Sequence, residues 1–280
     1  MKILRIPSTA AVFAGLVAVL ASLTVYASTP QASEYRSLLV GTRTGSVLVD
    51  PATGAVSGTL PAAYAQDVHA GRLYLAANNR ELRIYDLNGE LQKTIRYEPV
   101  AQAIGLVVIG DGRIAVLDNK DDYVRFLGPS GATLATVPIP GASRSSLQNL
   151  HGIVVGGELV VSENGRKAVF AIDLENYSAR ILKDLSGEVG GAWLSGIAYL
   201  DGAFYVANSK GELYRFRADG PAELFAAGFP KALTGLLAGD GALYATSLHA
   251  GEIYRIALDD GSYTVIAEGL DRPRTIDGVP

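Results

Sequence analysis

Four residues near the middle of the chain have the types and spacing to do chemistry: His151, Glu163, Asn164 and Asp118. An imidazole beside a carboxylate can work as a general base. Carboxylates with an amide oxygen make a hard-oxygen set suited to calcium or magnesium. His151 opens the apolar run His151-Gly152-Ile153-Val154-Val155, and Glu163 closes the next, Leu159-Val160-Val161-Ser162-Glu163. If the two runs are adjacent antiparallel strands, these residues lie at the same end of the pair. Asp118-Asn119 holds the corresponding place one repeat earlier. On this reading His151 is the base, and Asp118, Glu163 and Asn164 surround a divalent cation in a lyase or a lactone or ester hydrolase.

The elements that must position these residues come from internal repetition. Leu38-Leu39-Val40-Gly41-Thr42 recurs as Leu73-Tyr74-Leu75-Ala76-Ala77, Ile114-Ala115-Val116-Leu117-Asp118, Leu159-Val160-Val161-Ser162-Glu163, Phe204-Tyr205-Val206-Ala207-Asn208 and Leu243-Tyr244-Ala245-Thr246-Ser247, at spacings of 35, 41, 45, 45 and 39 residues. Each copy is followed by a turn and a second apolar run, such as Glu212-Leu213-Tyr214-Arg215-Phe216. In all but the first, a small-residue run ending in a turn precedes it, as in Gly196-Ile197-Ala198-Tyr199-Leu200-Asp201-Gly202. Several of these runs alternate apolar and polar residues, the period of a half-buried strand. Units of about 42 residues with four short antiparallel strands describe propeller blades. The first copy lacks an innermost strand, and residues 272–280, Arg-Pro-Arg-Thr-Ile-Asp-Gly-Val-Pro, supply it. The expected fold is all-β, a six-bladed propeller over residues 36–280, closed by pairing 272–280 with 36–42 so that no sheet edge stays open.

That geometry gathers one polar mouth, because the end of each second strand and the start of each innermost strand share a face. Asn149, Ser195, Asn208, Thr234, Ser247 and Arg274 fall there beside the candidate metal ligands and are the expected ligand-binding residues. His249 reads as a solvated loop residue, and His69 as a turn residue on the opposite face. The Asp-Gly pairs at 111, 201, 219, 240 and 260 are hairpin-turn pairs rather than acids with a chemical task.

Composition narrows the setting. The 280 residues contain no cysteine, which removes disulfides and thiolate chemistry. Lys2 and Arg5 precede the apolar stretch Ala10–Val25, 16 residues long, against roughly 20 for a membrane span. Val25-Tyr26-Ala27 fits a cleavage site. The expectation is a signal peptide over 1–27, a linker over 28–35 and an exported, periplasmic or extracellular protein with no membrane span once the leader is removed, the alternative being an uncleaved N-terminal segment that anchors it. Cleavage takes two of the 24 basic residues and none of the 28 acidic ones, leaving a net charge of −6. An acidic domain has no electrostatic reason to bind nucleic acid. A closed ring also offers few edges for pairing, so a monomer is expected.

The order small-Gly-Ile, Asp-Gly, Leu-Tyr-Val-Ala, Gly-Glu-Leu-Tyr-Arg, clearest over residues 193–258, resembles the NHL-repeat and gluconolactonase-type six-bladed propellers. That superfamily implies the fold but no single activity, since it includes hydrolases, lyases and binding modules. The run His151-Gly152-Ile153 … Leu159 … Glu163 is similar to one repeat of the streptogramin (virginiamycin B) lyases, which use histidine with magnesium. Those enzymes carry the motif over several blades with aromatics on the second strand; here a single blade matches and those aromatics are missing. The gluconolactonase pattern places Asn before the inner-strand glycine, where this chain has Ile104, His151, Ser195 and Thr234. Two functions follow. The first is a binding or scaffold propeller holding a small molecule or protein partner at the mouth, and the second is the metal-assisted enzyme at blades three and four.

Overall fold

A computed structural model describes residues 35–61, 65–140, 150–230 and 232–280. The leader and most of the linker lie outside the described residues, as does Asn149. Six four-stranded antiparallel sheets form the six blades, and blade one has the order C-terminal strand, Ser37–Gly41, Ser46–Val49, Val56–Leu60. The C-terminal strand Thr275–Val279 pairs antiparallel with Ser37–Gly41, Leu39 opposite Asp277 and Val40 opposite Ile276. Ring closure is therefore as expected. Among the described residues no helix is long and apolar enough to cross a membrane.

The innermost strands of blades two to six are Gln66–His69, Ala103–Val108, Leu150–Val155, Leu194–Leu200 and Leu233–Gly239. Their partners are Arg72–Asn78, Ile114–Asp118, Glu158–Glu163, Ala203–Asn208 and Ala242–Ser247. The second strand of blade two runs one residue past Ala77, because a bulge between Ala76 and Asn78 inserts an extra residue. Asp201-Gly202 and Asp240-Gly241 both have positive φ, the paired left-handed geometry of a two-residue hairpin turn.

The core is six cores. Each cluster of buried apolar side chains fills one seam between neighbouring blades: Leu117, Phe126, Val161 and Phe170 between blades three and four, and Tyr205, Leu213, Leu243 and Tyr254 between five and six. At the closing seam Leu38, Val40 and Ile276 pack on Tyr244 and Ile253. Alternation along each strand sends successive side chains into the seams on either side of its blade, so both faces of the sheet are apolar. Towards the axis the strands crowd. A Cβ on Gly196 would stand 2.5 Å from the Leu236 nitrogen and 2.7 Å from the Thr234 oxygen, so only glycine allows that approach.

Packing reaches one residue further back than the 36–280 boundary. The Tyr35 ring lies between Gly239 of blade six and Gly278 of the C-terminal strand, each so close that a Cβ would fall 2.1 Å from a ring carbon. Its hydroxyl donates to the Ala238 carbonyl at 2.9 Å, which pins the chain start across the closing seam.

Candidate functional site: the central channel

The residues that end the second strands do not look into a shared pocket. Each caps the hairpin that follows it. Asp118 is fully buried; its Oδ2 accepts from the Ala101 N–H at 2.6 Å, and its Oδ1 from Gln102 and Lys120 at 3.0 Å and Asp121 at 3.4 Å. Glu163, also fully buried, accepts from the N–H groups of Gly165 and, at 2.7 Å, Arg166. Asn208 Oδ1 accepts from Lys210 at 2.9 Å and Glu212 at 3.2 Å, and Ser247 Oγ from Ala250 at 3.4 Å. Thr42 and Asn78 do the same for Gly45 and Arg80. A tight turn leaves backbone N–H groups without ladder partners, and an oxygen at the strand end satisfies them.

The starts of the innermost strands are also occupied, here by stitching blade to blade. Ser162 Oγ donates to the Ser195 carbonyl at 2.6 Å, Ser195 Oγ to the Leu233 carbonyl at 2.7 Å, and Thr234 Oγ1 to the Pro273 carbonyl at 3.0 Å. Arg274 exposes its side chain while its N–H bonds the Gly41 carbonyl at 2.8 Å. Asn164 is buried and accepts from Lys167 Nζ at 3.1 Å.

Strand register separates the candidate base His151 from Glu163, and hydrogen bonds already occupy the candidate metal ligands. Cross-strand partners share a face, and successive residues alternate. His151 pairs with Ser162, and Leu150 with Glu163. The imidazole and the Glu163 carboxylate therefore occupy opposite faces of blade four. With Asp118 and Glu163 holding backbone N–H groups, these residues do not fit a calcium or magnesium ion. No group of three or more His, Asp or Glu among the described residues is placed to hold one.

What the innermost strands of all six blades do enclose is a central channel with a cavity of about 270 Å³. Its apolar lining includes Ile104, Ile153 and Leu237, and the polar groups are Gln66, Asp67, His151, Thr275 and Asp277. An innermost strand is also an open sheet edge, so part of its backbone N–H and C=O groups face this space. His151 belongs here, and burial pushes its imidazole down to about 4, leaving it neutral at pH 7.

Asp67 and Asp277 are the chemistry that sequence reading missed. They keep some surface on the channel but are walled in by protein. Burial, and then the charge of Asp277, push Asp67 well above the usual carboxylate range. Burial raises Asp277 too, against the hydrogen bond it accepts from Gln66 Nε2 at 3.0 Å. Asp67 Oδ2 also accepts from the Val108 N–H of blade three at 2.5 Å. The signal was present in the repeat. The residue opposite the second position of each repeated run is Val107, Ile153, Ala198 and Leu237 in blades three to six, and Asp277 and Asp67 in blades one and two. Two acids in an otherwise apolar slot, in neighbouring blades, break the pattern.

No protein-family model and no curated protein matches the sequence. Among solved structures, the chain is similar to virginiamycin B lyase from Staphylococcus aureus, with a TM-score of 0.61 and 19% identity over 78% of this chain and 74% of that one. A protein of unknown function from Bacteroides caccae matches with a TM-score of 0.69 and 14% identity over 87% and 98% of the two chains. A chain of a nidogen/laminin complex matches with a TM-score of 0.68 and 13% identity over 86% and 97%. The likeness is one of fold. It supports the expected resemblance to NHL-type and lyase-type propellers without carrying a site across.

Proposed function

We propose that this is an exported propeller that binds a small molecule inside its central channel. Export rests on the leader pattern of residues 1–27. The observation that carries the binding reading is the channel itself: a half-open space of about 270 Å³ whose lining combines apolar side chains with a few converging polar groups, the setting of a ligand site. The polar mouth is a weaker site than its residue types suggest, since its side chains already hold turns and seams. The metal-assisted lyase reading loses support for the same reason.

The test is a thermal-shift screen of the protein against small amines, carboxylic acids, sugars and nucleosides, repeated on Ile153→Trp, which fills the channel. At least one class is expected to raise Tm in the parent and not in the variant. No shift with any class, or equal shifts in both proteins, overturns the reading.

A further inference from the structure

Four of the five polar side chains of the channel, Gln66, Asp67, Thr275 and Asp277, lie on blades one and two, and the fifth, His151, is on blade four. Asp67 and Asp277 offer carboxylate oxygens from adjacent innermost strands. Thr275 lies two residues before Asp277, hence on the same strand face, and also lines the channel. Its hydroxyl oxygen is enclosed and has no hydrogen-bond partner, an expense that a folded chain seldom carries without use. Gln66 joins the group: its Oε1 accepts from Ser46 Oγ at 2.7 Å, while its Nε2 donates to Asp277. Thr275 Oγ1 and Gln66 Oε1 crowd the same point above Gly41, so these residues form one contiguous patch.

We propose that the channel takes a small primary amine, bound as its ammonium ion by Asp67, Asp277 and the Thr275 hydroxyl, with its carbon body along the apolar wall of blades three to six. This rests on the reading that the channel binds a small molecule, and it names the class. An ammonium has three N–H donors and no acceptor, and the patch offers carboxylate and hydroxyl acceptors. Burial raises both carboxyl groups, and the charge of Asp277 raises Asp67 as well, so the pair carries less than its full double negative charge near neutral pH and suits a monovalent cation. His151, on blade four, is neutral and does not compete. A divalent metal fits less well. It needs about six oxygen ligands, but the rest of the side-chain wall is largely apolar and Gln66 Oε1 is already engaged.

The experiment is calorimetric titration of the protein with n-butylamine at pH 7.5, with n-butanol and n-butyrate as neutral and anionic counterparts. The amine is expected to bind at least ten-fold more tightly than either counterpart. It should lose at least ten-fold in Asp277→Asn and Asp67→Asn and several-fold in Thr275→Val. All three substitutions keep the size of the side chain, and circular dichroism reports whether each variant folds. Should one not fold, the comparison of amine with alcohol on the parent protein and the remaining variants still decides. Equal affinity for butylamine and butanol, or amine binding unchanged in every folded variant, overturns the proposal. If butylamine fails while another class shifts Tm in the parent and not in Ile153→Trp, the amine assignment falls and the channel reading stands. If no class binds, both fall.

Discussion

His151 and Glu163 sit at the same end of neighbouring strands in blade four but on opposite faces of its sheet, because His151 pairs with Ser162 and Glu163 with Leu150. The imidazole belongs to the channel and the carboxylate to a turn. No rotamer change brings them onto one face, since a sheet separates them. That relationship removes the general-base pair; what counts against the cation site is separate, namely the backbone N–H groups that Asp118 and Glu163 already hold.

The consequence for stability is direct. Asp118→Ala leaves four backbone N–H groups without their acceptor and Glu163→Ala leaves two. Unsatisfied buried groups cost about 1–3 kcal/mol each, less where water enters. Asp118→Ala is therefore expected to lower Tm more than Glu163→Ala, with losses on the order of 2–4 kcal/mol. Excess calcium or magnesium is expected to raise Tm in neither the parent nor the variants. Scanning calorimetry with and without chelator checks both statements.

Two opposing pH dependences follow from the channel. The raised carboxyl group of Asp277 favours the folded state most at low pH, and that contribution is lost as pH rises from about 4 towards about 7; the raised Asp67 acts in the same direction. His151 acts in the other direction. Its lowered imidazole contributes fully above 6.5, and that contribution is lost as pH falls from 6.5 towards about 4. Gln66 and the Val108 N–H touch the acid pair directly; Tyr35, itself raised to about 12 by burial and by the charges of Asp240 and Asp277, stays neutral throughout. Asp277→Asn is expected to raise Tm by several degrees at pH 8 and by little at pH 4. His151→Gln is expected to flatten the loss on the acid side. Melting curves from pH 4 to 8 on both variants separate the two terms, and a slope unchanged by either substitution contradicts this account.

Tyr35 tests the closing seam. Gly278→Ala places a methyl carbon where the ring lies, so the ring must leave its slot and the Tyr35–Ala238 hydrogen bond breaks. A drop in Tm comparable to that of Tyr35→Ala is expected. The double variant should fall little further, because both changes empty the same contact. Additive losses would show that Tyr35 and Gly278 act independently.

Ring closure gives a harsher test. A stop after Arg274 removes the strand Thr275–Val279, exposing the edge of Ser37–Gly41 and opening the seam where Ile276 packs against Leu38 and Val40. The truncated chain is expected to aggregate or elute as an expanded species, since an uncovered edge strand invites pairing between molecules. Size-exclusion chromatography showing a compact monomer would contradict it.

The number of blades, the strand ends within a residue or two and the closing role of residues 275–279 were legible in the sequence. Strand ends are marked by turn residues, and six similar apolar runs can bury themselves only by packing in a ring. The candidate site was legible in part: His151 was singled out and lies on the channel wall, whereas Asp118, Glu163, Asn208 and Ser247 were grouped with it by position along the strand alone. Position along a strand says which end a residue occupies. Register and bulges, such as the one between Ala76 and Asn78, say which face it takes, and these follow from packing against the next blade. Strand-end oxygens also choose their partners after folding, and here they took N–H groups of their own turns and, for Asp118, those of Ala101 and Gln102 as well. Asp67 and Asp277 stand near opposite ends of the chain and become neighbours only when the last strand completes blade one. The two carboxyl groups then enter the low-dielectric axis together, and their raised proton affinity exists only in that closed structure. The sequence by itself determined the ring and its strands; tertiary structure decided which polar side chains are spent on holding it and which remain for a ligand.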